Sequence, residues 1–253
     1  MKKNLRMFNM RRITRLPLEK RILSYLARQQ AKVDAGNDVH KRWKNSRKTG
    51  SLKKVAALLR QMAGKRERCM YCQDSRATQI DHFWPLGLYP ARAFSWENML
   101  HACDGCNNRK QHRFDLDAHG QPLLIDPTTI DPWDHLYFEP ATGMLTARYV
   151  AGVESPIGRY TTDPGVLPLN IEAITSGRQR TARNLIAAVS DFLANTAPMT
   201  GDSESKLIQA ILDRDDFGLS EWFFFHDGTA TKPFSTLKLG FPQVWARIQA
   251  AVH

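Results

Sequence analysis

The 253 residues predict an α+β fold, mostly helical, with a zinc-stapled motif near the middle of the chain and helices on both sides. Three observations carry this. The four cysteines form two Cys-x2-Cys pairs, Cys69/Cys72 and Cys103/Cys106, with none left over. Apolar residues recur at helical spacing before and after that segment. The chain is also long enough to bury a sizeable core, so its fold need not rest on a metal alone. The boundaries that follow are a basic helical region over 1–68, a zinc-bound motif over 69–127, and a mainly helical region over 128–253 that packs on it.

In the first region Leu18, Ile22, Leu26 and Val33 recur at helical intervals after Pro17, a residue suited to a first turn, and Gly36 ends the pattern. A second helix runs from Ser51, a good N-cap, through Leu52, Val55, Leu59 and Met62 to Gly64. Between them lies a basic linker around Trp43. Charge is strongly uneven. The net charge is +11, yet residues 1–68 hold 21 Lys/Arg against four acids (Glu19, Asp34, Asp38, Glu67), while the rest of the chain is net acidic. Residues 41–54, KRWKNSRKTGSLKK, carry seven cations and no acid. Such asymmetry points to a polyanion contact through Lys41, Arg42, Lys44, Lys53 and Lys54. The alternative is a solvated basic face.

The middle region is read from its cysteines. Without a secretory signal, two matched Cys-x2-Cys units point to one four-thiolate zinc ion rather than to disulfides or a redox pair. Beyond it, QPLLIDPTTIDPWDHL has prolines at 122, 127 and 132 and reads as an extended connector. Phe138–Val150, with Thr142-Gly143 inside it, reads as a hairpin. Ile174, Ala182, Leu185, Ile186, Val189, Phe192 and Leu193 mark a long helix over 171–195, and shorter helices are expected over 203–213 and 242–252.

Composition excludes several classes. At 42% hydrophobic and 24% charged residues, the chain resembles soluble globular proteins. No run of 18 apolar residues could span a bilayer. The start is basic but lacks the apolar stretch of a secretory signal, and its resemblance to a transit peptide is weakened by the absence of serine before Ser24. A soluble cytoplasmic protein is expected. No Gly-x4-Gly-Lys-Ser/Thr phosphate loop is present, which argues against an autonomous ATPase.

Between and just after the cysteine pairs lie Asp81-His82, Asn98, Asn107 and Lys110. Each is unremarkable alone, but together they supply the parts for phosphodiester hydrolysis. A histidine can deprotonate water near neutral pH. A carboxylate and an amide oxygen suit a magnesium-like ion, and a lysine one helical turn after Asn107 would meet a phosphate.

The spacing Cys-x2-Cys … Asp-His … Asn … Cys-x2-Cys-Asn-x2-Lys resembles the HNH endonucleases of the ββα-metal class, at Cys69, Cys72, Asp81, His82, Asn98, Cys103, Cys106, Asn107 and Lys110. The resemblance implies that a two-stranded hairpin carries Asp81 and His82, and that zinc clamps it to a helix beginning near the second cysteine pair. It implies His82 as general base, Asp81 and Asn107 as ligands of one Mg2+ or Mn2+ ion, and Asn98 as the residue that orients the loop holding His82. Products would carry a 5′-phosphate and a 3′-hydroxyl. Many members have His where Asn107 stands, and a one-residue shift would make Asn108 the ligand. Over Cys69–Pro127, about a quarter of the chain, the context is similar to HNH proteins of bacterial anti-phage systems, the Septu-type and retron-associated nucleases. That likeness implies DNA as substrate and an ATPase subunit as partner. Two other readings remain: a zinc module that binds nucleic acid without cutting it, and an HNH nuclease acting on RNA. Phe83, Trp84, Phe94 and Trp96 are either core or surfaces on which bases stack.

Overall fold

The computed structural model describes residues 12–74, 76–195 and 201–252. The basic start at residues 1–11 lies outside them. Helix makes up 53% of the structure, so the mostly helical α+β expectation holds. Among the described residues no helix is long and apolar enough to cross a membrane.

Three helices open the described chain: α1 (Lys20–Asp34), α2 (Val39–Ser46) and α3 (Gly50–Met62). The predicted stripes are buried, with Ile22, Leu26 and Val33 on α1 and Leu52, Val55, Leu59 and Met62 on α3. Two boundaries differ from the sequence reading. Helix α1 starts after Glu19, because residues 12–18 are held by distant partners instead. Ile13 N–H donates to the Pro127 carbonyl (2.8 Å), and the Arg15 guanidinium donates to the carbonyls of Trp96 (2.9 Å), Glu97 (3.1 Å) and Met99 (3.1 Å). Helix α3 is capped by Thr49 rather than Ser51. The expected linker around Trp43 is helix α2. The Asp38 carboxylate accepts from Lys41 N–H (2.6 Å) and supplies its cap.

Strands β1 (Gln79–His82) and β2 (Met99–Ala102) pair antiparallel, with Gln79 opposite Ala102 and His82 opposite Met99. Helix α4 (Asp104–Lys110) follows β2 directly. Beyond the proline-rich connector, β3 (Leu136–Glu139) and β4 (Met144–Ala147) form the expected hairpin. A small exposed hairpin, β5 (Tyr149–Val150) and β6 (Val153–Glu154), comes next. The rest is helical: α5 (Pro156–Thr162), α6 (Glu172–Ala194), α7 (Gly201–Arg214), α8 (Leu219–Phe225), α9 (Phe234–Gly240) and α10 (Pro242–Val252).

Helices α5, α8 and α9 were not read from the sequence. Each has seven residues, too few to display a helical repeat, and α8 (LSEWFFF) is apolar around most of its circumference. It is started by the buried Asp215 carboxylate, which accepts from the N–H groups of Leu219 (2.8 Å) and Ser220 (2.9 Å). Its rings pack into the C-terminal core, where Phe223 stacks on Phe234 at 4.3 Å and Trp222 meets Phe138 edge-on at 5.4 Å. A continuous buried cluster runs from Ile13 to Val252 through all three predicted regions.

The β3–β4 turn seats directly on α6. Gly143 has φ +74°, and a Cβ there would lie 2.0 Å from the Thr175 carbonyl oxygen. Gly143→Ala is therefore expected to cost about 3 kcal/mol, combining left-handed strain with overpacking against backbone. Gly36→Ala, at φ +91° with open space around it, should cost only about 1 kcal/mol. Urea denaturation of the two variants measures the difference.

Candidate active site

The four cysteines converge from two segments far apart in the chain. Their sulfurs lie within 4.8 Å of one another, with Cys72 Sγ and Cys103 Sγ 3.9 Å apart, and all four are buried free thiols. A tetrahedral ion with Zn–S bonds of about 2.3 Å has sulfur–sulfur edges of about 3.8 Å, so the donor set fits zinc. Burial pushes the Cys69 thiol well above its ordinary range. Four thiolates in such a place require a cation between them.

Helix α4 grows out of this cluster. Cys103 is its N-cap, with Sγ accepting from Cys106 N–H. The helix then sets Asn107 half-buried toward β1, where its side-chain amide donates to Gln79 Oε1. Asn108 is exposed and lines a different, shallow depression with Arg109 and Arg113. A cleft of about 540 Å3 brings together Asp81, His82, Asn107 and Gln79; Asn108 is not part of it.

Asp81 is buried, and its Oδ2 accepts from the Tyr71 hydroxyl at 2.6 Å. Lys110 departs from the sequence expectation. Its side chain is fully buried at the end of α4, four residues after Cys106, on the inward face of that helix. Its Nζ lies 3.1 Å from Asp81 Oδ2 and donates to the His82 carbonyl at 2.6 Å. It therefore ties α4 to β1 and does not reach out to a phosphate.

His82, the next residue on β1, is also buried and lines the same cleft. Its Nε2 lies 2.9 Å from the Ala93 carbonyl, which can only accept, so Nε2 carries the proton and Nδ1 presents a lone pair. The Trp43 ring from α2 packs edge-on against the imidazole at 4.3 Å. Burial pushes the His82 pKa down to about 4, against the pull of Asp81. The ring is neutral at physiological pH.

The loop between the strands is clamped twice. Asn98 Oδ1 accepts from Trp84 N–H (2.7 Å), while its amide donates to the carbonyls of Trp84 (3.1 Å) and Arg92 (3.0 Å). From α1, Gln30 accepts from Phe94 N–H at 2.9 Å and donates to the Pro90 carbonyl at 3.1 Å. Phe83, Phe94 and Trp96 are buried as core, whereas Trp84 is half-buried under the Arg92 guanidinium at 4.2 Å.

The expected polyanion contact is only partly assembled on this cleft. Lys53 lines it; Lys41, Arg42, Lys44 and Lys54 do not. Lys54 pairs with Glu19 at 3.4 Å, and Arg42 donates to Asn37. Arg47 and Lys48, which stand in the same basic run but were not singled out, line the cleft instead. Tyr71 and Gln79 were also missed, since neither type signals chemistry until the fold brings it beside Asp81 or Asn107.

No family model matches the chain. It is 31% identical over 74 residues to the Septu protein PtuB of Bacillus thuringiensis, a match covering 27% of each sequence. The chain therefore spans about a quarter of that relative's length.

Cys72→Ser is expected to release metal and unfold the motif, because zinc bound by four thiolates contributes on the order of 10 kcal/mol to folding. Metal content and far-ultraviolet circular dichroism of the purified variant check this. Retention of one zinc per chain with native dichroism would refute the four-thiolate site.

Proposed function

We propose that the protein is a metal-dependent HNH endonuclease that hydrolyses phosphodiester bonds of DNA in a Septu-type anti-phage system, alongside an ATPase subunit. The observation that carries the reading is the shared cleft of Asp81, His82 and Asn107, built on a cysteine cluster that suits zinc. The partial identity to a Septu protein supports the biological setting.

The residues act as follows. His82, neutral and with Nε2 committed to Ala93, offers Nδ1 to take a proton from the attacking water. Asn98 positions it indirectly by bonding Trp84 and Arg92 in the loop that carries Ala93. Asp81 and Asn107 offer hard oxygen donors, and a Mg2+ or Mn2+ ion bound there would neutralise charge developing on the leaving 3′ oxygen. A carboxylate has about four acceptor sites, so the bonds from Tyr71 and Lys110 leave Asp81 with capacity for an ion. The Lys110 charge opposes a cation at that carboxylate, which favours binding together with substrate phosphate over binding alone. Hydrolysis leaves a 5′-phosphate and a 3′-hydroxyl.

Incubation of the full chain with plasmid, single-stranded DNA and RNA, in Mg2+ or Mn2+ and with its partner subunit, tests the assignment. His82→Ala should keep zinc and fold while losing roughly 10²–10⁴-fold in cleavage rate. Asp81→Ala and Asn107→Ala should also lose activity. A zinc-loaded, folded His82→Ala protein that cuts at the wild-type rate refutes the mechanism. Failure of the wild-type to cut any substrate leaves a zinc module that only binds.

A further inference from the structure

The basic run contributes cations of two kinds. Lys54 is paired with Glu19, and elsewhere Arg66 and Arg68 pair with Asp216 and Arg76 with Glu67. Arg47, Lys48 and Lys53 are exposed, and among the described residues none of them has a carboxylate partner. They stand where α2 ends and α3 begins, two elements that meet at Thr49. All three line the cleft that holds Asp81, His82 and Asn107. The carboxylate in that cleft is Asp81, already matched by Lys110. The floor is therefore close to neutral and the wall carries three uncompensated positive charges. Trp43 and Leu86 add apolar surface to the same cleft.

We infer that the α2–α3 corner is a phosphate-binding wall, in which Arg47, Lys48 and Lys53 hold the backbone of the DNA strand whose phosphodiester lies over His82. The inference rests on the nuclease reading and goes beyond it, because it assigns substrate binding to helices outside the cysteine-bound motif. Long, exposed, unpaired cations on an open cleft suit a polymer with repeated charges rather than a small anion, which buried and oriented donors would hold. Contacts to phosphate carry no base identity, so this wall confers affinity without sequence preference. Lys41, Arg42 and Lys44, one to two turns earlier on α2, do not line the cleft and contribute little.

The test uses the full chain carrying His82→Ala, so that DNA is bound without being consumed. Fluorescence anisotropy with labelled duplex DNA, single-stranded DNA and RNA is recorded at several salt concentrations. Arg47→Gln, Lys48→Gln and Lys53→Gln together should flatten the slope of log K against log salt by up to about 2.7 for a duplex or about 2.1 for a single strand. Binding should weaken evenly across unrelated sequences. The companion triple Lys41→Gln, Arg42→Gln and Lys44→Gln should change the slope by less than about one contact's worth. Equal flattening by both triples, flattening by the companion triple alone, or no binding of any nucleic acid overturns the wall. Tighter binding to RNA than to DNA overturns DNA as its ligand. The two readings fail separately: cleavage by the His82→Ala chain removes the catalytic assignment, while the wall is still judged from the slopes.

Discussion

The structure around the cleft depends on four thiols meeting at one point. Cys69 and Cys72 come from a turn before β1, while Cys103 and Cys106 open α4, and their sulfurs reach a common centre only if hairpin and helix adopt a single relative placement. A seven-residue helix has no stability of its own in water. Here its N-cap is itself a member of the cluster, so a zinc ion on these thiolates would fix the first turn of α4 and its direction at once. Asn107 and Lys110 follow one and two turns later, and their placement against Gln79 and Asp81 is a consequence. The cysteine cluster and the cleft-forming residues are thus parts of one construction.

Lys110 and Asp81 form an ion pair of the kind that proteins seldom keep for stability alone. Withdrawing two charges from water costs several kcal/mol per ion, and an apolar pair of similar volume often serves folding as well or better. The bonds around this pair give it a purpose. Tyr71 and Lys110 both bond the Asp81 carboxylate, and Lys110 also donates to the His82 carbonyl, so one buried ammonium sets the position of two neighbouring strand residues. Replacing the pair by hydrocarbon would remove both the carboxylate from the cleft floor and the bond from α4 to the His82 carbonyl.

Local chemistry made much of this legible in the sequence. The cysteine spacing announced a four-sulfur cluster, the stripes of α1 and α3 announced their buried faces, and the Asp-His dipeptide falls on strand β1. What escaped depends on tertiary placement. Lys110 reads as a phosphate contact until Cys106, four residues before it, is seen to turn that face inward. The run at 41–54 shows seven cations but not which of them share a side with Asp81, because that follows from the angle between α2 and α3. Trp43 stood in a segment whose polar composition suggested a linker, and its helix is explained by the Asp38 cap and by the His82 and Phe94 rings on which Trp43 packs. Helix α8 was hidden by its own burial, since an element apolar around its circumference has no amphipathic period to read.

Residues 12–68 are more than a charged appendage. Gln30 on α1 holds Phe94 N–H, the neighbouring residue Ala93 holds the His82 ring, and Trp43 on α2 covers that ring from another direction. Arg15 braces the carbonyls of Trp96, Glu97 and Met99, where the loop turns into β2. Two four-residue strands and a seven-residue helix cannot supply this enclosure, because they present too little surface to bury a histidine and wall a cleft at once. Helices α2 and α3 and the turn between them, next to the Trp43 that packs on His82, also carry Arg47, Lys48 and Lys53 on the cleft. A change in α1–α3 would therefore alter the environment of the imidazole and the charge on the cleft together, so under the proposed function these helices would bear on both catalysis and binding even though the cysteine pattern begins only after them.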